Sequence, residues 1–400
     1  MRYVYVLTLS GRGLEMRRGL LTVAVLAIVT SAGADWIDFG LDTGGTANLS
    51  VLESGPSGML VELALPGVEV MPVVQDGQHY SVLNLPGMTP GALAEGYPML
   101  PKVAFLAALP FSPSVEITVT STDMISLGSL TPYPMQPILP DNYMGIPPFA
   151  IDTEAYASGE VFPADAADYD IEGTLRGVTV GRFVLQPFSW NSATGELLAA
   201  RRMVIEIDFG GTVDIDQRLY SRFFESLFRQ HLLNADVLGH AQPSVTRSGS
   251  GHAVARTARE AMAIDGADLL IMSGDDFVDT MLEEFATIKH EQGFYTAVVA
   301  AGSWSTSEIK DYIEDAYNTW ELPPSFVLFV GDSGDIPPYY ANGIYSDNRY
   351  CCMDGSSDYM ADIFHGGFVT PTSNYFIVED KIIKWEFDPL MDANFWDDVL

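Results

Sequence analysis

The sequence predicts a multidomain protein in which a β-sandwich-like domain precedes an α/β domain with a doubly wound parallel sheet. In the first half, strand-length apolar segments are separated by prolines and glycines, as in antiparallel β proteins. In the second half, apolar runs without a helical period alternate with amphipathic segments, which gives the order strand, helix, strand, helix, strand. A length of 400 residues allows two or three such domains.

The composition restricts the class of protein and its partners. A hydrophobic content of 48% with 11% aromatic residues excludes a disordered chain. The net charge of -33, from 53 acidic and 20 basic residues, argues against nucleic acid or anionic membrane surfaces as partners. The charge fits a soluble extracellular protein that meets calcium, and solubility alone explains it equally well.

The amino terminus has the pattern of a signal peptide over residues 1–34. A basic start at Met16-Arg-Arg18 is followed by the short apolar segment Gly19–Thr30 and the small residues Ala32-Gly-Ala34. We therefore expect secretion, a mature start near Asp35 and no membrane span after signal removal. Met16 is a candidate for the true start, and an N-terminal membrane anchor is the alternative to a signal peptide.

Residues 35–242 are predicted to form the β-rich domain, which closes with a helix over Tyr220–Leu233. The apolar stripe of this helix is interpreted as packing rather than as a groove for a partner. Leu130–Glu172 has no clear period and is predicted as long loops. A turn is predicted at Asn191–Gly195. The predicted strands are Met59–Leu65, His79–Leu85, Lys102–Leu109, Val115–Ser121, Val178–Gln186 and Leu197–Phe209.

A polar, Gly/Ser-rich segment at 243–263 has the composition of a linker, and residues 264–400 form the predicted α/β domain. Its helices are expected over Phe277–Gln292, capped by Asp275 and Asp276, and from the capping box at Ser305–Glu308 to about Trp320. Function gathers at the carboxyl ends of parallel strands, where Asp332 stands. The predicted strands are Ala267–Ser273, Phe294–Ala300 and Ser325–Val330.

Aspartates crowd the stretch that follows the third strand, where Arg349 is the single basic residue. Hard oxygen ligands at this density suit calcium, and Asp358 and Asp362 are spaced so that a loop could turn both toward one ion. A solvated acidic loop is the alternative. The aspartates of this stretch are Asp332, Asp335, Asp347, Asp354, Asp358 and Asp362.

The two cysteines, Cys351 and Cys352, are adjacent, so no disulfide framework is predicted. Either could act as a nucleophile only with a histidine base nearby, and His365 is the nearest in sequence. The acidic surroundings would raise a thiol pKa, so ordinary buried thiols are the favoured interpretation. Phosphate-binding loops and the HExxH, CxxC and GxSxG motifs are absent from the sequence.

Several motifs, in order, resemble the opening of the gingipain family of secreted cysteine peptidases, which have a caspase-like α/β fold. The first domain is similar to the propeptide of that family through Gly96-Tyr-Pro-Met-Leu-Pro101, Pro187-Phe-Ser-Trp-Asn191 and Val204–Phe209. The motifs of the second domain are Ala267-Asp-Leu-Leu-Ile271, Tyr312-Ile-Glu-Asp-Ala-Tyr317, Phe326–Asp332 with Asp335-Ile-Pro337, Ser346-Asp347, and Asp358–Phe364.

The resemblance implies a calcium site and a propeptide that inhibits its own enzyme. The implied calcium ligands are the side chains of Asp332, Asp358 and Asp362 and the carbonyls of Gly355 and Met360. The family has Glu where Asp362 stands, so that ligand arm is shorter here.

The resemblance also bears on processing and catalysis. The segment 243–263 lies where a propeptide would be cut from a peptidase, and its position and exposure motivate the hypothesis of cleavage after Arg247, Arg256 or Arg259, with an uncut linker as the alternative. The family's catalytic histidine and cysteine follow the position that matches Phe387, where the family continues into its fourth strand. We therefore assign no catalytic residue within this sequence and expect a partial catalytic domain.

The leading hypothesis is a secreted, calcium-binding cysteine endopeptidase zymogen that acts on protein or peptide substrates. The alternative is a non-enzymatic secreted surface protein in which a β-sandwich is followed by an α/β module that binds calcium. A flavodoxin-like nucleotide binder ranks below both, because the sequence lacks a phosphate loop.

Overall fold

The computed structural model describes residues 33–140, 142–145, 147–240, 253–255, 260, 263–278, 282–341 and 343–387. The predicted signal peptide lies outside these residues except for its last two positions. Within the described ranges, every helix is too short or too polar to serve as a membrane span.

Three antiparallel sheets form the first domain. Their strand orders are β1-β4-β5, β10-β11-β7-β6 and β2-β3-β13-β12-β9, with β8 also paired to β13. The strands are β1 (Asp35–Asp38), β2 (Asn48–Gly55), β3 (Gly58–Ala64), β4 (Gly67–Gln75), β5 (Gln78–Asn84), β6 (Thr89–Gly91), β7 (Leu100–Leu109), β8 (Glu116–Ser129), β9 (Val161–Phe162), β10 (Ala167–Leu175), β11 (Val178–Leu185), β12 (Phe188–Asn191) and β13 (Glu196–Asp208).

The alternating side chains of these strands build one apolar core. Phe183, Phe188, Trp190 and Ile205 are each no more than 2% exposed and belong to it. Such burial removes large aromatic and aliphatic surfaces from water, which is the main favourable contribution to folding. The predicted β-sandwich-like class of the first domain is confirmed.

The prediction of long loops over Leu130–Glu172 is wrong in its second half. Helix α1 (Thr153–Ala157), strand β9 and most of strand β10 lie there. Strand β10 pairs with β11 on one side only, and most of its residues are exposed or half-buried. Because its aspartates face outward and few apolar residues face inward, the sequence lacks the alternation of apolar and polar residues that indicates a strand.

Strand β8 is also longer than predicted, because it follows β13 along almost the whole length of that strand. Its side chains are mostly exposed, so the apolar pattern stops near Ser121 while the backbone pairing continues to Ser129.

Helix α2 (Arg222–His231) lies within the predicted helix and buries Phe224 and Phe228. The stripe is packing, as predicted. Asn234 follows the helix and is 1% exposed; its side chain bonds both the N–H and the carbonyl of Ala108 in β7. The end of the first domain is thereby fixed to one of its own sheets.

The second domain contains a five-stranded parallel sheet in the order β14-β16-β15-β17-β20, which confirms the predicted α/β class. The three predicted strands form its centre. Strands β14 and β20 were not predicted: β14 has three residues, in the segment with linker composition, and β20 is glycine-containing and largely exposed. The strands are β14 (Ala253–Ala255), β15 (Leu269–Gly274), β16 (Thr296–Ala301), β17 (Phe326–Val330) and β20 (Phe364–Phe368); β18 (Tyr340–Ala341) and β19 (Ile344–Tyr345) form a separate hairpin.

The first predicted helix of this domain appears as α3 (Asp275–Phe277) and α4 (Glu283–Glu291), and 279–281 lie outside the described residues. The predicted aspartate cap is wrong, because Asp275 and Asp276 lie inside the first turn, where their charge favours the helix dipole. Gly293 ends the segment with a φ of 94°, as predicted.

Helix α5 (Thr306–Thr319) confirms the second predicted helix. Ser305 accepts the N–H of Glu308, and the Glu308 carboxylate accepts the N–H of Ser305, which is the reciprocal capping box.

Helix α6 (Tyr375–Phe387) carries a buried carboxyl group. Glu379 is fully buried, and neither of its oxygens has a hydrogen-bond partner within the described ranges. Burial, and then the charge of Glu284, raise the pKa of Glu379 to about 7. The pKa of this carboxyl group is higher in the folded protein than in the unfolded chain. At a pH between these two pKa values the folded state binds more protons, so the stability of the protein falls as the pH rises through this range.

We therefore expect the free energy of unfolding to fall as the pH rises from about 4.3 to about 7. Glu379→Gln should reduce this slope and stabilise the protein at pH 8 by about 1 to 3 kcal/mol, because it removes the buried charge and keeps the shape of the side chain. Urea denaturation across this range measures both effects. Asp380→Asn is the matched control, since its exposed carboxylate pairs with Lys384; an unchanged slope in Glu379→Gln would contradict the interpretation.

Candidate metal centre

Three aspartates converge in the loop that leads into β20. Asp354, Asp358 and Asp362 each offer a carboxylate oxygen, and these oxygens all lie within 4.8 Å of one another. The loop follows a short 3-10 turn, Asp347–Tyr350, and reaches the amino end of β20.

Hydrogen bonds within the loop fix the position of Asp358. Its Oδ1 accepts the Met360 N–H at 2.9 Å and its Oδ2 accepts the Asp354 N–H at 3.2 Å. The Gly355 carbonyl accepts the Asp358 N–H at 3.3 Å, and Gly355 has a φ of 98°, where a side chain would be strained.

Asp362 is fully buried, and each of its oxygens is oriented by a backbone donor. Oδ1 accepts the Arg176 N–H at 2.5 Å, and Oδ2 accepts the Met353 N–H at 2.8 Å. Burial raises its pKa to about 7, with the charges of Asp354 and Asp358 adding to the rise and the two hydrogen bonds opposing it. The pKa of Asp354 is also raised, by burial and then by Asp358.

The nearby Arg349 guanidinium donates to the carbonyls of Ser356 and Asp358. The three carboxylates repel one another because their oxygens lie within 4.8 Å, and a bound cation would relieve that repulsion. Oxygen donors alone, in a loop that also presents carbonyls, suit a hard divalent ion such as calcium.

The structure brings Asp358 and Asp362 together, as expected, but it does not add Asp332 to them. Asp332 is exposed, its Oδ1 accepts the Gly334 N–H at 2.7 Å, and its own N–H donates to Asp335. It follows the carboxyl end of β17, whereas Asp362 precedes the amino end of β20. Opposite edges of a five-residue parallel strand lie roughly 16 Å apart, which corrects the expectation of a shared ion.

Asp354 completes the cluster although it was not among the implied ligands. The crowding of aspartates was the only sequence signal for it. Gly355 and Met360 lie in the same loop, and the Met360 side chain packs against the first domain, where a Cβ on Gly173 would lie 2.9 Å from its Sδ.

Neither cysteine has the surroundings of a nucleophile. Burial, and then its neighbour Cys352, raise the pKa of Cys351 well above its usual range, and burial followed by Asp358 raises that of Cys352 to about 11. His365 contacts the Asn348 side chain at 3.3 Å, and Asn348, rather than the imidazole, contacts the sulfur of Cys352.

Two family models match this chain in sequence order. The C25 propeptide model matches residues 41–234, and the model of peptidase family C25 matches residues 263–396.

The relatives with curated descriptions include Lys-gingipain HG66 and gingipain R2, both from Porphyromonas gingivalis. The first is 26% identical over 356 residues, which cover 83% of this chain and 19% of the relative. The second is 21% identical over 300 residues, which cover 72% of this chain and 38% of the relative. The chain thus spans about a fifth to two-fifths of the length of these relatives.

A solved structure concerning the zymogenic latency of gingipain K, from the same organism, is 21% identical. The alignment covers 45% of this chain and 99% of the chain in that structure, with a TM-score of 0.38. The order of the two family models, one for the propeptide and one for the peptidase, places this chain in the gingipain-type cysteine peptidase family.

Proposed function

We propose that the chain is the propeptide and the opening part of the catalytic domain of a secreted, calcium-binding cysteine endopeptidase zymogen. The order of the two family matches, with a segment of linker composition between them, carries this proposal. The substrates would be proteins or peptides, and the first domain would act as the inhibitor of its own enzyme. The signal pattern over residues 1–34 supports secretion.

In a cysteine peptidase a thiolate attacks the peptide carbonyl, an imidazole moves the proton, and backbone N–H groups hold the oxyanion. A buried thiol with a raised pKa is a poor nucleophile, since the thiolate is the reactive form. We propose that neither Cys351 nor Cys352 is the nucleophile.

Calcium would be held by Asp354, Asp358 and Asp362, with the carbonyls of Gly355 and Met360 as further donors. When bound, it would neutralise three crowded carboxylates and order the loop before β20. The three aspartates are supported as shared ligands because their carboxylate oxygens lie within 4.8 Å of one another.

Calcium should raise the melting temperature of the protein. At a hundredfold excess over Kd a ligand contributes about 2.7 kcal/mol, or roughly 5 to 10 °C for a domain of this size. Asp358→Asn should abolish most of the shift, whereas Asp332→Asn, a matched exposed aspartate, should retain it. Thermal unfolding with calcium and with chelator measures this; equal loss in the two variants would place Asp332 at the ion.

The connecting segment should be the site of processing. N-terminal sequencing of the mature secreted form should find an end within 243–263, after Arg247, Arg256 or Arg259. Replacing all three arginines by alanine should block that cut and leave the thermal unfolding of the uncut chain unchanged. A mature end outside this segment would refute the proposed boundary.

The two thiols should react slowly in the native protein. Both are buried, so iodoacetamide at pH 8 should modify them at least 100-fold more slowly than in urea, with mass spectrometry as the measurement. Rapid native alkylation of Cys352 at a rate that depends on His365 would restore it as a candidate nucleophile.

The alternative remains a non-enzymatic, calcium-binding surface protein; buried thiols are expected under either function and do not decide between them. The reading frame after Leu400 discriminates between the two. A Gly-His-Gly run and a later cysteine support the peptidase, and a stop codon in intact genomic sequence supports the surface protein.

A further inference from the structure

A cleft of about 510 Å³ lies wholly within the first domain. It is lined by strands β6, β7, β10 and β11 and by the segments 91–98 and 160–165. Clefts of this size are typical of sites for small ligands. The function proposed above does not account for this cleft.

Two basic side chains line the cleft, and they differ in how they are neutralised. Arg182 on β11 pairs with Asp170 and Glu172 of the neighbouring strand β10. Lys102 on β7 forms no ion pair with any residue that the structure describes. Its stem lies over β6, where a Cβ on Gly91 would be 2.5 Å from Lys102 Cδ. The glycine leaves room for the stem, and the ammonium group is left to bind an anion.

Three further carboxylates line the cleft on the side of β9 and β10. Glu160 and Asp165 flank β9, and Asp168 lies on β10; none has a cationic partner within the described part of the chain. Strand β11 lies between β7 and β10, so two strand spacings, roughly 10 Å, separate the strands that carry Lys102 and Asp168. The cleft therefore holds a free positive charge on one side and free negative charges on the other.

Apolar side chains complete the lining of the cleft. Val184 is half-buried on β11, the strand that separates the two charged sides. Tyr97 and Phe162 meet edge-on with ring centres 6.0 Å apart, and Phe162 stacks on the buried Trp190 at 6.3 Å. This packing fixes an aromatic wall beside the charged groups.

A ligand that carries both charges fits this arrangement. A metal ion would leave Lys102 without a partner, an anion would meet the carboxylates, and a neutral sugar would neutralise neither side. A peptide has an ammonium group at one end and a carboxylate at the other. Three extended residues span roughly 10 Å, which matches the separation of the charged sides, whereas a single amino acid is too short.

We propose that the cleft binds short peptides of about three residues whose two ends are free. Lys102 pairs with the terminal carboxylate, and Asp165 and Asp168 pair with the terminal ammonium group. An apolar side chain of the peptide lies against the wall of Tyr97 and Phe162. The site needs neither calcium nor peptidase activity, so its test is separate from those of the proposed function.

The test titrates the intact chain with the tripeptide Ala-Leu-Ala in isothermal calorimetry at low salt. The wild type should bind it, and acetylating the amino end or amidating the carboxyl end should each raise Kd by about tenfold, the loss of one charged contact. Lys102→Met should no longer distinguish the free peptide from its amide. Asp165→Asn combined with Asp168→Asn should no longer distinguish it from its acetylated form. Loss of recognition at one end alone separates a lost contact from general misfolding.

Arg202→Met is the matched control, since Arg202 is a cation of the first domain that pairs with Glu62 outside the cleft. It should bind all three peptides as the wild type does. If thermal unfolding shows that Lys102→Met or the double variant is not folded, Lys102→Gln or Asp168→Asn alone takes its place.

Three results would overturn the proposal. The first is no binding of Ala-Leu-Ala to the wild type at millimolar concentration, and the second is equal affinity for the free and blocked peptides. The third is a preference for the free carboxyl end that survives the replacement of Lys102. Maltose serves as the neutral probe, and tighter binding of maltose than of the tripeptide would assign the cleft to a sugar and overturn the proposal as well.

Discussion

The contact of Arg176 with the second domain is the interaction on which the arrangement of the molecule depends. One residue joins the tip of the β10–β11 hairpin, the start of α2 and the loop before β20. Its guanidinium is fully buried and bonded to four carbonyls, and a buried charge is costly to leave unpaired. The side chain therefore contributes both to the cohesion of the two domains and to the position of Asp362.

The direction of the parallel strands is the second constraint. It separates the amino edge, where the aspartate cluster and the contacts of Arg176 lie, from the carboxyl edge, where Asp332 closes a turn of its own. In such sheets ligands gather at the carboxyl edge. The interface with the first domain thus lies on the side away from that edge.

The α/β core could be predicted because β15, β16 and β17 are buried on both faces and read as continuous apolar runs. Strands β8 and β10 could not, since polar residues cover their exposed faces. For the candidate site, the sequence indicated Asp358 and Asp362 but misplaced Asp332, because spacing along the chain does not specify which edge of a sheet a loop occupies. Arg176 gave no signal at all: a single arginine in a turn usually faces solvent, and only the packing of two domains buries it.

The position of Leu219 and Phe223 has a consequence for the separation of the two domains. Both precede the linker segment, yet Leu219 belongs to the core of the second domain, and Phe223 stacks on Phe294 and lies edge-on to Phe326. The α/β unit on its own would lack part of its interior. The first domain thus supplies part of the packing of the second, and separating the two would expose apolar surface on both.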